Sequence, residues 1–127
     1  KIEAIHLIGI TAQPPHREIQ KTALGSTESV DWKYFETTAE SIQILKDKQY
    51  NIASVEQAEN STKLEDFSDM DVTGFGIILG NEVDGVDQET INASDHCMEL
   101  PQFGTKHSLN VSVCAGIVMY EMLQKFN

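Results

Sequence analysis

The sequence predicts an α/β fold, with a mainly parallel sheet covered by helices on both faces. Short apolar runs that suit buried strands, such as Ala4–Ile10 and Phe75–Leu79, alternate along the chain with segments of helical character. Turn and cap residues punctuate that alternation at each change of element. Several element ends crowd together between Gly80 and Tyr120, which is how a crevice forms at the carboxyl ends of strands in an open α/β sheet.

In chain order, Ala4–Ile10 reads as a buried parallel strand carrying His6, a histidine expected to sit in the core with its ring hydrogen-bonded. Thr11–Pro14 is a loop. Pro15 can open a short polar helix, because the first turn needs no N–H there, and Gly25 can close it in a left-handed conformation. That helix carries Arg17 and Lys21, and reads as a surface crossover or, through those two cations, as a face toward a nucleic acid. Trp32–Glu36 is an aromatic-rich strand, and Thr37-x-x-Glu40 is a capping box that opens a helix to about Lys48.

Tyr50–Val55 is the next strand, ending at Glu56-Gln57, a candidate ligand edge. Thr62-x-x-Glu65 offers a second capping box for a turn of helix within Asn60–Phe67, and Asp66–Thr73 is an acidic connector. Phe75–Leu79 then runs into Gly80-Asn81-Glu82-Val83-Asp84-Gly85, where the two glycines permit a sharp turn and a close backbone approach. A short helix separates this loop from the strand Cys97–Leu100, which Pro101 ends. After the loop Phe103–His107, Ser108 stands as N-cap of a helix over about Leu109–Phe126. That helix is apolar or small on nearly every side, so it is expected to be buried on two sides, with a second subunit as the outer cover. The bland alternative is cover by the chain's own loops.

A length of 127 residues suits one domain with one core, and 40% hydrophobic with 23% charged residues is ordinary for a soluble globular protein. No apolar run approaches the roughly 20 residues of a membrane span, and no signal-peptide pattern is visible. Cys97 and Cys114 lie in apolar contexts and read as buried free thiols of a reducing cytoplasm; no zinc-like spacing occurs. Hydrolase Gly-x-Ser-x-Gly and dinucleotide Gly-x-Gly-x-x-Gly patterns are absent. A formal net charge of −11, with Arg17 the single arginine, runs against the basic footprint usual in nucleic-acid binders.

Of the polar residues near the crevice, Glu82 can cap backbone N–H groups or orient a hydroxyl, a cationic cofactor or a partner arginine. Asn110 can cap a helix or donate its amide to a substrate oxygen. Lys106 and His107 read as solvated loop residues or as contacts to RNA phosphates, and Asp84, Asp87 and Asp95 as surface or capping acids.

Gly-Asn-Glu-x-x-Gly at Gly80–Gly85, followed by Leu100-Pro101-x-x-Gly104 and by Ser108-Leu109-Asn110-Val111-Ser112-Val113, resembles the SpoU family of TrmH-like RNA ribose methyltransferases, of the SPOUT class. The match is dense from Leu79 to Glu121 and looser over Tyr50–Asp66; Ser108–Ala115 is its specific part. The resemblance implies a C-terminal trefoil knot, S-adenosylmethionine as cofactor, tRNA or rRNA as substrate, a homodimer through the C-terminal helix, and no metal or membrane. It implies catalytic roles for Glu82, Ser108 and Asn110, and cofactor contacts at Gln57, Leu79, Gly80, Gly85, Leu100, Pro101, Ser108 and Leu109. The family's upstream motif, an asparagine and an arginine before the segment matching Ala4–Ile10, has no counterpart here, since Arg17 follows that strand. The expectation is therefore one domain over 1–127 that lacks its N-terminal strand and helix. A cofactor-binding or dimerisation module without catalysis is the alternative, and the acidity alone favours a small-molecule methyltransferase.

Overall fold

The computed structural model describes residues 3–9, 30–58, 60–68, 73–80, 85–100 and 111–126. The chain divides into two compact units, Lys1–Ile44 and Leu45–Asn127. The expected loop Thr11–Pro14, the helix from Pro15 to Gly25 and the N-cap at Ser108 lie outside the described residues.

In the first unit β1 (Ala4–Ile8) and β2 (Asp31–Phe35) form a parallel pair, in register from Ala4 opposite Asp31 to Ile8 opposite Phe35. The His6 ring stands 2.5 Å from the Ser41 hydroxyl through Nδ1 and packs 4.7 Å from the Phe35 ring, as a hydrogen-bonded histidine against the core should. The expectation of a buried first strand fails. Ala4 and Ile5 are exposed, and only the half toward Ile8 is partly covered; among the described residues β1 has a single neighbour in its ladder.

Helix α1 (Thr38–Asp47) begins at the capping box: the Glu40 N–H donates to the Thr37 hydroxyl at 3.3 Å, and that hydroxyl donates to the Glu40 carboxylate at 2.9 Å. It ends in a Schellman turn. The Tyr50 N–H returns to the Leu45 carbonyl at 3.0 Å and the Gln49 N–H to the Lys46 carbonyl at 2.9 Å, with Gln49 held at φ 64° where glycine is usual.

The second unit holds a four-stranded, wholly parallel sheet in the order β4 (Thr62–Lys63), β6 (His96–Glu99), β3 (Asn51–Val55), β5 (Phe75–Leu79). β6 and β3 are the interior strands, and in β3 Ile52, Ala53 and Ser54 are completely buried. Its one buried hydroxyl is satisfied: the Ser94 hydroxyl donates to the Thr90 carbonyl at 2.8 Å and stands 2.5 Å from that of Ser54, so Ser54 donates to Ser94. Asp95 accepts from the Ile52 N–H at 2.7 Å, and Asp87 caps α2 (Gln88–Ala93) by accepting from the Thr90 N–H at 2.7 Å. Both acids thus serve the backbone.

The second capping box does not form. Thr62 is spent on the ladder with β6, opposite Met98, so the 3₁₀ turn Leu64–Asp66 starts after Lys63 with no side-chain cap. Strand pairing outcompetes a local cap for the same residue.

Helix α3 (Val111–Phe126) lays Cys114, Val118 and Met122 on a core of Ala53, Leu64, Phe67 and Met98. Lys125 ties its end to the 3₁₀ turn by donating to the Glu65 carbonyl at 3.4 Å. Its other side is open: Val113, Ile117 and Tyr120 are 51%, 41% and 66% exposed. Among the described residues the helix is covered on one side only. Among the described residues no helix is long and apolar enough to cross a membrane.

Candidate functional site

The parallel order β6-β3-β5 brings three carboxyl ends side by side. The ladders finish at Val55 opposite Leu79, and at Glu99 opposite Lys63. Glu56, Gly80 and Leu100 are therefore the first residues past the sheet, at the edge where α/β sheets take ligands. Leu79 and Leu100 are partly buried, and Leu100 packs against the core, so apolar surface flanks this edge. Gln57, beside Glu56, is exposed.

The loop after β5 is pinched at its base. A Cβ on Gly80 would collide with the carbonyl of Gly85 and the nitrogen of Val86. Gly85 has φ +67°, and a Cβ there would strike the Glu56 carboxylate. Both glycines are thus required by contacts inside the protein, in addition to any room they leave for a ligand.

Glu56 joins the two sides of this edge. One carboxylate oxygen accepts from the Val86 N–H at 3.0 Å, and the other from its own neighbour's N–H, that of Gln57, also at 3.0 Å. The Glu56 N–H donates to the Met98 carbonyl at 3.0 Å, and the Cys97 thiol donates to the Glu56 carbonyl at 3.5 Å. Cys97 and Cys114 are free thiols, partly rather than fully buried. Burial and then the Glu56 carboxylate push both above the ordinary thiol value of 9.0, so they stay protonated and unreactive at neutral pH.

Of the residues expected to form the site, Gln57, Leu79, Gly80, Gly85 and Leu100 fall within the described structure, all at the carboxyl edge of one sheet. Glu82, Pro101, Ser108, Leu109 and Asn110, with Lys106 and His107, lie outside the described residues, as do 81–84 and 101–110, through which a knot would be traced. Sequence reasoning marked Glu56-Gln57 as a ligand edge but missed that the Glu56 side chain turns to the backbone. No local signal marked it, since Gly85 and Val86 lie far along the chain and meet Glu56 only in the fold.

The pattern of the SpoU rRNA Methylase family matches residues 1–120. A Staphylococcus saprophyticus protein assigned to the TrmH family of tRNA/rRNA methyltransferases is 34% identical over 110 residues, covering 86% of this chain and 43% of that protein. The tRNA (guanosine(18)-2′-O)-methyltransferase of Escherichia coli K12 is 30% identical over 106 residues, covering 83% of this chain and 45% of its own length. The chain thus spans less than half the length of these relatives. The crystal structure of an AdoMet-bound rRNA methyltransferase from Sinorhizobium meliloti has the same fold, with a TM-score of 0.87 at 21% identity over 98% of this chain and 47% of that one. Taken with the sheet edge and its pinched glycine loop, the match over residues 1–120 shows that the chain belongs to the SpoU rRNA methylase family.

Proposed function

We propose that this chain is part of an RNA 2′-O-ribose methyltransferase that uses S-adenosylmethionine and acts on tRNA or rRNA. The observation that carries the reading is the shared carboxyl edge of β6, β3 and β5, where Leu100, Glu56 and Gly80 follow the last ladder pairs. That edge fits the cofactor's chemistry. An adenosyl group needs main-chain donors and acceptors with apolar flanks, and here main chain just past the ladder lies beside Leu79 and Leu100. Gly80, Gly85, Leu100, Pro101, Ser108 and Leu109 would hold the adenosine, with Gln57 closing one side. When bound, S-adenosylmethionine supplies an electrophilic methyl group on a sulfonium.

The chain's own residues have the remaining tasks. Glu82, Ser108 and Asn110 would orient the ribose hydroxyl; a neighbouring positive charge would lower its pKa, and a tuned base would accept its proton. Folding through a C-terminal trefoil knot, and pairing of two copies in the cytoplasm, complete the proposal. The second copy covers Val113, Ile117 and Tyr120, apolar residues exposed along the open side of α3.

The test is titration calorimetry with S-adenosylmethionine, combined with transfer of a tritiated methyl group to bulk tRNA and rRNA. Asn110→Ala should lose roughly a hundredfold in turnover, within the range for a lost acid–base or positioning group, while cofactor affinity changes by about threefold or less. Tight binding with no transfer by any form of the protein would mark a non-catalytic module. Failure to bind the cofactor would end the proposal.

A further inference from the structure

We infer that Glu56 is a positioning residue for the cofactor loop, holding the base formed by Gly80, Gly85 and Val86 against the carboxyl end of β3. The inference rests on the cofactor reading above and deepens it. The Val86 N–H is in a buried residue and is committed to a Glu56 oxygen at 3.0 Å, while the second oxygen is braced by the Gln57 N–H at the same distance. A carboxylate held at both oxygens has little rotational freedom left, and its bonds to N–H groups are charge-assisted and strong.

Two further contacts make the arrangement specific to a side chain of this length. Gly85 packs so closely on the carboxylate that any Cβ would displace it. Gly80 is in turn packed on the backbone of Gly85 and Val86, so a shift at Val86 is passed directly to the first residue beyond β5. Immediately downstream Asp87 caps α2, which fixes the far side of the same joint. Releasing Glu56 therefore frees one point that locates both ends of the loop.

The rank order of substitutions separates positioning from charge. Glu56→Gln keeps the length and one acceptor oxygen for Val86; Glu56→Asp keeps the charge but is too short to reach; Glu56→Ala keeps neither. With all three shown to be folded by cooperative melting, Glu56→Asp and Glu56→Ala should each weaken S-adenosylmethionine and S-adenosylhomocysteine alike by about tenfold, and Glu56→Gln by about threefold or less. Hydrogen exchange at the Val86 amide should speed up in the same order, a marker that a general loss of stability would not reproduce. The inference is overturned if the folded variants bind like the unsubstituted protein. It is also overturned if Glu56→Asp outperforms Glu56→Gln and only the sulfonium form is affected, which would mean that the carboxylate acts on the cofactor's charge. If the unsubstituted protein binds neither compound, the cofactor reading falls and takes the inference with it, an outcome distinct from intact binding in every variant.

Discussion

Asp87 shows how much one side chain does at this sheet edge. Its carboxylate accepts from the side chain and N–H of Thr90, and these bonds hold its pKa below the ordinary 3.8. Because the folded value is the lower one, the cap's ionic contribution is complete above the unfolded value and disappears as pH falls through the folded value. Asp87→Ala should cost about 1 kcal/mol in urea unfolding at neutral pH, typical of a lost N-cap. The gap to the unsubstituted protein should narrow on acidification to about pH 3, whereas Asp87→Asn should stay close to the unsubstituted protein at neutral pH. A gap that does not change with pH would refute the assignment.

Helix α3 has two unlike sides, and substitutions should tell them apart. Val118 is completely buried against Ala53, Leu64 and Met98, so Val118→Ala should cost about 2 kcal/mol in thermal or urea unfolding, for lost transfer energy plus a small cavity. Ile117→Asp and Tyr120→Asp, on the open side, should change the stability of the isolated chain by about 0.5 kcal/mol or less, yet abolish association in sedimentation. The sequence showed that the helix was apolar nearly all round but not which residues face the core, since that depends on where the sheet lies. The strands were legible because parallel strands read as short apolar runs: Phe75–Leu79 was found at its true bounds, and Tyr50–Val55 and Cys97–Leu100 came within a residue. The Thr37 cap was local and was read correctly, whereas Thr62 was claimed by a partner strand far along the chain. Glu56 looked like any acid at a strand end, because its partners Val86 and Gly85 come together with it only after folding.

For the molecule as a whole, charge bears on the proposed pairing of copies. Each chain carries a formal net charge of −11, so two copies repel one another, and in the proposed dimer the apolar stripe on α3 would have to outweigh that repulsion. Added salt screens the first effect and leaves the second, since the Debye length falls from about 10 Å at 0.1 M to about 3 Å at 1 M. Dimerisation measured by sedimentation should therefore strengthen as salt rises, and an association that weakens instead would point to ion pairs as its basis. Binding of an RNA duplex or strand through Lys106 and its neighbours should show the opposite trend.

The strand order has a consequence for synthesis on the ribosome. Among the described strands β6 is the last to emerge, yet it occupies an inner place between β4 and β3. When translation has passed Leu79, β3 and β5 can already lie together, but Thr62–Lys63 has no ladder partner until His96–Glu99 leaves the exit tunnel. The sheet cannot be built outward one strand at a time. It must hold a gap open and accept β6 from the side, a long-range closure that makes slow, late consolidation a property of the topology. The core residue Met98 enters at that step and completes the carboxyl edge, and Val118 and Met122 of α3 join the hydrophobic cluster later still. A nascent chain thus acquires the shared carboxyl edge of β6, β3 and β5 only after Glu99 has been made.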